Sequence, residues 1–413
     1  MTLNELRKEK VGLCVSGGLD SRTIATRLKE EGIDILCFVA DLCQPDEKNI
    51  NDVAQRMSAC GVETVIVDLK KEMADACFTA IKAQAMYDGG YWNSTGLARA
   101  VTVRGLLPEM KKRGCTVLAH GATGRGNDQM RFERYTNVLA PEMKVYAPWR
   151  DPILLKQFPG RKQMAQYLRE KGIETTLKKR RYSTDANLAG ISYEAEDLEK
   201  LTTPCTIVKP RMGVWPHEAP ARIEKFKVRF EHGIAVEING QKVSPLEAML
   251  IANRIGGRNG IGIKNSLENR IIGTKSRGVY EAPGMELLGT CLRMLYYAVM
   301  DRRALHLFNY LSTLAANQIY DGRMFDPATV AALNAINILA QPATGVVEVG
   351  LYKGNIYFRS LTECPSTLYH EADSSMEATK GLNPVSSQGY AEIQSVEARA
   401  LAKAHQIKSE LPR

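Results

Sequence analysis

The sequence predicts an α/β protein: an open parallel sheet with helices on both faces over residues 1–171, an α+β domain over 172–366, and a tail over 367–413 ending in an oligomerisation helix. Three observations predict it. Short apolar runs alternate with amphipathic stretches as far as about Ala119, the pattern of a parallel sheet flanked by helices. After about Gly172 the chain turns polar, then shows hairpin signals and long helical stretches. The closing amphipathic segment has no obvious core of its own, so it is expected to dock on a neighbouring subunit.

In the first part VGLCV (11–15), DILCFVA (34–40), ETVIVDL (63–69) and CTVLAH (115–120) read as strands. Between them SRTIATRLKEEG, NINDVAQRMSACG and LARAVTVRGLLPEMKKRG read as helices, each ending at glycine as helices commonly do. LKKRRYSTDANLAG then reads as loop, and PCTIVKPRMGVWPHEAP is rich in turn residues. KFKVRFEHGIAVEING alternates with period two around a turn at HG, and VVEVGLYKGNIYFRSL does so around KG. Two helical stretches lie between these hairpins, SPLEAMLIANRIGG and the long GMELLGTCLRMLYYAVMDRRALHLFNYLSTLAANQIY. The tail helix is QSVEARALAKAHQIKSEL.

Composition narrows the function classes. No apolar run approaches the roughly 18 to 20 residues that span a bilayer, and the N-terminus lacks the h-region of a secretory signal. A cytoplasmic enzyme without a membrane partner is the expectation. The nine cysteines are scattered, with no CxxC pair and no Cys/His cluster at zinc spacing, so neither a disulfide framework nor a metal site is expected. The net charge of +9 is spread along the chain, which fits attraction of anionic small substrates better than nucleic-acid binding.

Two segments carry chemistry. Val15-Ser16-Gly17-Gly18-Leu19-Asp20-Ser21 leaves the first strand and opens the first helix. Its two glycines let the backbone approach an anion, its hydroxyls donate to phosphate oxygens, and the N–H groups at the helix start point the same way. Asp20 would repel bare phosphate and makes sense with Mg²⁺ between them. The end of the second strand, Ala40-Asp41-Leu42-Cys43-Gln44, lies where open α/β sheets bind ligands. Further on, His120-Gly121-Ala122-Thr123-Gly124-Arg125-Gly126-Asn127-Asp128-Gln129-Met130-Arg131-Phe132-Glu133 leaves another strand end. It offers a carboxylate for an ammonium (Asp128), donors for carboxylates (Thr123, Asn127 and loop N–H groups), and in Arg131 a planar fork for a second carboxylate.

SGGLDS resembles the pyrophosphate loop of the ATP pyrophosphatase superfamily, and HGATGRGNDQMRFE is a near-complete match to the argininosuccinate synthase family. The resemblance runs from Val11 to beyond Tyr280, through APWRDP at 147–152, YSTDANL, ISYE, LENRIIG and KSRGVYE. It implies ATP as substrate with Mg²⁺, a nucleotide-binding first domain, a synthetase second domain and a homotetramer. The implied ATP contacts are Val15, Ser16, Gly17, Gly18, Asp20, Ser21, Ala40 and Gly121. Thr123, Asn127 and Asp128 are implied to bind aspartate, with Asp20, Asn127 and Asp128 central to catalysis. For the acceptor amino acid, citrulline in the family, the implied contacts are Tyr91, Thr95, Arg99, Asn127, Arg131, Ser183, Ser192, Glu268 and Tyr280.

Five positions depart from the family pattern, all expected near the pocket. Gly96 falls where an acceptor-contacting serine is usual, with Ser94 two positions away as a substitute donor. Arg22 replaces a small serine, Cys43 a glycine, and Asn265 an aspartate. The acceptor therefore stays open between citrulline and another ureido or amide compound. A nucleic-acid-modifying member of the superfamily predicts an added RNA-binding module or paired cysteines, and neither is seen.

Overall fold

The computed structural model describes residues 1–175, 181–377 and 381–407. The chain divides into two compact units, Met1–Ser366 and Thr367–Arg413.

Five strands, β1 (Lys10–Cys14), β2 (Asp34–Asp41), β3 (Thr64–Asp68), β4 (Val117–His120) and β5 (Lys144–Tyr146), form a parallel sheet in the order β3-β2-β1-β4-β5. Seven helices accompany it: α1 (Leu19–Glu30), α2 (Asn51–Ser58), α3 (Lys70–Ala83), α4 (Ser94–Lys112), α5 (Asp128–Leu139), α6 (Pro152–Gln157) and α7 (Arg161–Glu170). Alternation along the strands feeds two cores. Val11, Leu13, Val15, Cys37, Val39, Val117 and Ala119 pack with α1, α2 and α7, while Cys14, Phe38, Ala40 and Leu118 pack with α3, α4 and α5. The expected sheet with helices on both faces is present.

Glycine stops work as the sequence predicts. Gly32, Gly61 and Gly114, which follow α1, α2 and α4, all adopt left-handed φ between 70° and 74°. Between β3 and β4, however, the chain makes two helices where the pattern gave one. α3 is alanine-rich and buried on several sides, which blurs its period, and it ends at Gln84 (φ 49°) without a glycine.

The rest of the first unit comprises β6 (Ser183–Asn187), β7 (Gly190–Glu194), β8 (Glu224–Glu231), β9 (Ile234–Ile238), β10 (Gln241–Lys242), α8 (Pro245–Arg258), β11 (Ile263–Asn269), β12 (Lys275–Glu281), α9 (Pro283–Val299), α10 (Arg302–Tyr320), α11 (Pro327–Ala340), β13 (Gly345–Tyr352) and β14 (Asn355–Thr362). One antiparallel sheet runs β10-β9-β8-β13-β14 and another β11-β12-β7-β6. Both expected hairpins close on paired left-handed residues, His232-Gly233 (φ 51° and 79°) and Lys353-Gly354 (φ 43° and 82°), as two-residue hairpin turns require.

Three expectations are corrected. The segment read as loop contains β6, because its polar residues alternate across a sheet rather than facing solvent together, and its residues 177–180 lie outside the described residues. The long helical stretch breaks at Asp301, whose carboxylate caps α10 by accepting from the N–H groups of Arg303 (2.7 Å) and Ala304 (3.1 Å). α11 was not anticipated.

In the second unit, α12 (Glu371–Ser374) precedes α13 (Ser386–Lys403). The predicted tail helix runs to residue 411, of which 408–411 lie outside the described residues. Tyr390, Ile393 and Val396 on α13 are exposed. Among the described residues no helix is long and apolar enough to cross a membrane.

Candidate active site

Strand order reverses between β1 and β4, the position at which open α/β sheets bind ligands beyond their strand ends. Cys14 pairs with His120 there, so the turns that follow the two strands leave the sheet side by side. A Cβ added to Gly121 would meet Ile24 Cδ1 at 3.5 Å and Asp20 Cβ at 3.9 Å. The first turn is shaped by Gly17, with φ 69°, and by the Ser16 N–H donating to Ser21 Oγ at 3.1 Å. Gly18 occupies the N-cap of α1 and has no side chain with which to cap it. The N–H groups of the first helical turn therefore face the mouth of the turn. Two cations stand close: Arg161 Nη1 is 3.9 Å from Asp20 Oδ2, and Arg56 borders Gly17.

Beside this turn, Gln44 Nε2 donates to the Ala40 carbonyl (2.8 Å) while its Oε1 accepts from the Leu42 N–H (2.9 Å), clamping the bend after β2. The Leu188 N–H, in the β6–β7 turn, donates to the Leu42 carbonyl at 3.0 Å.

The turn after β4 delivers Asn127 and Asp128 to the head of α5. Thr123 holds the turn's base, its carbonyl accepting from the Gly126 N–H at 3.2 Å. Asp128 lies between two guanidinium groups. Arg99 donates to Oδ2 through Nε (3.0 Å) and Nη2 (2.8 Å), and Arg131 Nη1 donates to Oδ1 (2.9 Å). Burial alone would raise this carboxyl, but Arg99 and then Arg131 outweigh it and hold Asp128 below the usual carboxylate range. Arg99 also donates to Asp185 Oδ2 at 2.7 Å. Asp185 is nevertheless raised, because burial dominates and it shares a single guanidinium with the neighbouring Asp128 charge.

The β11-β12-β7-β6 sheet supplies the opposite wall. Its register pairs Ser183 with Glu194, Asp185 with Ser192, Ser192 with Tyr280, Glu194 with Gly278 and Glu268 with Ser276, which sets all of these on one face. Ala186, Ile191, Tyr193 and Val279 face the other way into a small core. Glu268, 3% exposed, accepts from Tyr280 Oη (2.8 Å) and from Tyr320 Oη (2.7 Å). Tyr91 stacks on Tyr280 with centroids 4.0 Å apart, and its hydroxyl accepts from the Thr95 N–H at 2.9 Å. Burial pushes the Tyr91 phenol up to about 12. Burial also pushes Glu194 up to about 7, with the charges of Glu268 and Asp128 adding to it.

Comparison with known proteins decides the family. The descriptions "Arginosuccinate synthase N-terminal HUP domain" and "Arginosuccinate synthase C-terminal domain" match residues 10–174 and 182–401. A protein of Thermotoga sp. (strain RQ2) named argininosuccinate synthase is 38% identical over 411 residues, covering 97% of this chain and 98% of its own length. One of the same name from Rhodopirellula baltica is 36% identical over 391 residues, covering 94% and 96%. The chain belongs to the argininosuccinate synthase family.

Against the argininosuccinate synthase pattern, the departures have different local causes. A Cβ on Gly96 would lie 2.9 Å from the Ile319 carbonyl oxygen, so glycine there permits close approach of the end of α10. Ser94 is 2% exposed and donates to Tyr91 Oη at 3.4 Å. Cys43 adopts φ 59°, the left-handed region that favours the family's glycine. Arg22 donates to the Glu174 carbonyl at 2.9 Å. Asn265 is not near the pocket as expected: it pairs with Val279 on the face turned away from Glu268, and accepts from Arg277 Nε at 2.9 Å.

Of the residues implied for aspartate and acceptor in this argininosuccinate synthase fold, Tyr91, Thr95, Arg99, Asn127, Asp128, Arg131, Ser192, Glu268 and Tyr280 form one connected group. Ser183 stays at its margin, exposed and donating to the Glu194 carbonyl at 3.1 Å. Arg131 spends two parallel N–H groups on the Tyr320 carbonyl (2.9 and 2.8 Å). Sequence reasoning missed Asp185, Glu194 and Tyr320. The spacing of Ser183 with Asp185 and of Ser192 with Glu194 carries the period-two signal for the first two, once those segments are read as strands.

Proposed function

We propose that the protein is an ATP-dependent ligase joining aspartate to citrulline, giving argininosuccinate, AMP and pyrophosphate through an adenylated ureido intermediate. The observation that carries this reading is the abutment of two turns at the switch point of the sheet, with Gly121 against Asp20. A ureido carbonyl is a poor electrophile, since its nitrogens feed density into it and its oxygen leaves badly. Attack of that oxygen on the α-phosphorus expels pyrophosphate and makes AMP the later leaving group. The neutral amine of aspartate then forms the new C–N bond as the C–O bond to AMP breaks.

In this scheme Val15, Ser16, Gly17, Gly18, Asp20, Ser21, Ala40 and Gly121 hold ATP. Thr123, Asn127 and Asp128 take aspartate, and Tyr91, Thr95, Arg99, Asn127, Arg131, Ser183, Ser192, Glu268 and Tyr280 line the acceptor side. Proximity of three substrates supplies much of the rate, and fixed charge supplies much of the rest. Mg²⁺ supplies charge neutralisation at the phosphates when bound. Its fit rests on the donor set at the first turn, where the Asp20 carboxylate stands beside the uncapped head of α1. Asp20 offers the single carboxylate that suits an ion otherwise held by phosphates and water. The proposed assembly is a cytoplasmic homotetramer.

Pyrophosphate release measured with ATP, aspartate and citrulline, each omitted in turn, tests the reading, with argininosuccinate identified by mass. No product from the full mixture sinks it. The approach of Ile319 to Gly96 favours a second reading, in which a different ureido or amide compound replaces citrulline. The same assay run across such compounds separates the two.

A further inference from the structure

We infer that Tyr320 is a positioning residue of the acceptor site, its hydroxyl fixing the Glu268 carboxylate and the Asn127 amide relative to one another and so setting the affinity for the acceptor. The inference rests on the ligase reading above.

Tyr320 is the last residue of α10, and its place is fixed from three sides. Along the backbone, the helix stops on glycine: the Arg323 N–H donates to the Gln318 carbonyl (2.8 Å) and the Gly322 N–H to that of Ile319 (3.2 Å), with Gly322 at φ 75°. This closure satisfies two terminal carbonyls and leaves that of Tyr320 to the paired N–H groups of Arg131. The ring is held by stacking on Tyr87, with centroids 3.7 Å apart at 15°, and by an edge contact with Tyr91 at 6.5 Å.

The hydroxyl on this anchored ring has two partners. It donates to Glu268 Oε1 at 2.7 Å and accepts from Asn127 Nδ2 at 2.8 Å. Burial, followed by the Glu268 charge, pushes the phenol far above its ordinary range, so it remains a donor at any working pH. Asn127 has its other end committed, Oδ1 accepting from the Ile271 N–H at 3.0 Å, and Glu268 has its second oxygen on Tyr280. Removing the Tyr320 hydroxyl therefore leaves Glu268 Oε1 with only the long 3.5 Å contact from Ser276 Oγ and frees one N–H of the Asn127 amide, without touching the backbone capping or the stack.

The test is calorimetric titration of citrulline, with an unreactive ATP analogue present, into the full-length wild type, Tyr320→Phe, Glu268→Gln and the double variant. Titration of the ATP analogue itself and a thermal melt accompany each. Tyr320→Phe is expected to weaken citrulline binding about tenfold, as loss of a hydrogen bond to a charged group does, and to leave ATP-analogue affinity within about twofold. The double variant is expected to lose clearly less than the sum of the two single losses, because part of the hydroxyl's effect runs through that carboxylate and the rest through Asn127. Unchanged citrulline affinity in Tyr320→Phe, or losses that add in the double variant, overturns the inference and leaves the ligase reading standing. Equal loss of ATP-analogue and citrulline binding reduces Tyr320 to a structural role and also overturns it. A wild type that binds the ATP analogue but not citrulline defeats the citrulline reading, and this inference with it.

Discussion

Asp20 at the head of α1 and Gly121 after β4 lie close enough that a Cβ on the glycine would stand 3.9 Å from that of the aspartate. A side chain at 121 would rest in ordinary contact with Ile24 and with the Cβ of Asp20, so the two turns are closely apposed. Adjacent strands deliver both turns to the same end of the sheet.

Asp20→Ala is expected to lower pyrophosphate release at least 10²-fold, about the cost of removing one preorganised charge partner from a reacting centre. Asp20 is at the surface of the turn rather than in a core, so the melting temperature should stay within about two degrees of wild type. Full activity in this variant would refute the assignment of the phosphate turn.

Gly96→Ser installs the serine that the family resemblance implies at this position, yet it is expected to be harmful here. Its Cβ would meet the Ile319 carbonyl at 2.9 Å, and backbone cannot swing away as a side chain can. We expect about 1–3 kcal/mol of destabilisation in denaturant melts, together with a raised KM for the acceptor as the end of α10 shifts. A variant with wild-type stability and a lowered KM would mean that α10 moves freely and that the serine donor was simply missing.

Glu194→Gln is expected to raise stability at alkaline pH. In the unfolded chain this carboxyl releases its proton near 4.5, whereas the native state holds it up to about 7, through burial first and then the neighbouring Glu268 and Asp128 charges. Asp185 also faces it and raises it further, while Arg270 opposes them. Between those two values the native state binds more protons, so stability falls as pH rises. The contribution is whole below about pH 4.5 and gone above about 7. At pH 8 the glutamine variant should gain on the order of 2–3 kcal/mol, a gain that shrinks to nothing near pH 4.5. Parallel pH–stability curves for the two proteins would show that Glu194 does not titrate in this window.

Cys43→Gly relieves a left-handed φ of 59°. The strain relieved is about 1 kcal/mol or more, partly offset by the greater freedom of glycine in the unfolded chain. We expect a net gain of about 0.5 kcal/mol with kcat unchanged, read from equilibrium unfolding and steady-state assays. A fall in kcat would instead give the Cys43 thiol a role.

Local chemistry made much of this legible. The strands of the parallel sheet, the glycine stops at 32, 61 and 114, and the turns at His232-Gly233 and Lys353-Gly354 all follow from a few adjacent residues. Helix α3 escaped notice because burial on several sides erases the contrast that reveals a period. Strands β6 and β7 escaped because their site face is polar, so alternation there is not apolar against polar in the usual sense. Tyr320 could not have been found by any local rule. It reaches Asn127 and Glu268 from 193 and 52 residues away, through the packing of α10 against α3, α4 and α11.

The single backbone bond from the Leu188 N–H to the Leu42 carbonyl stitches the bend after β2 to the turn between β6 and β7. That turn joins the two strands bearing Ser183, Asp185, Ser192 and Glu194. One N–H···O contact of 3.0 Å thus joins the margin of the parallel sheet to the polar face of the antiparallel one.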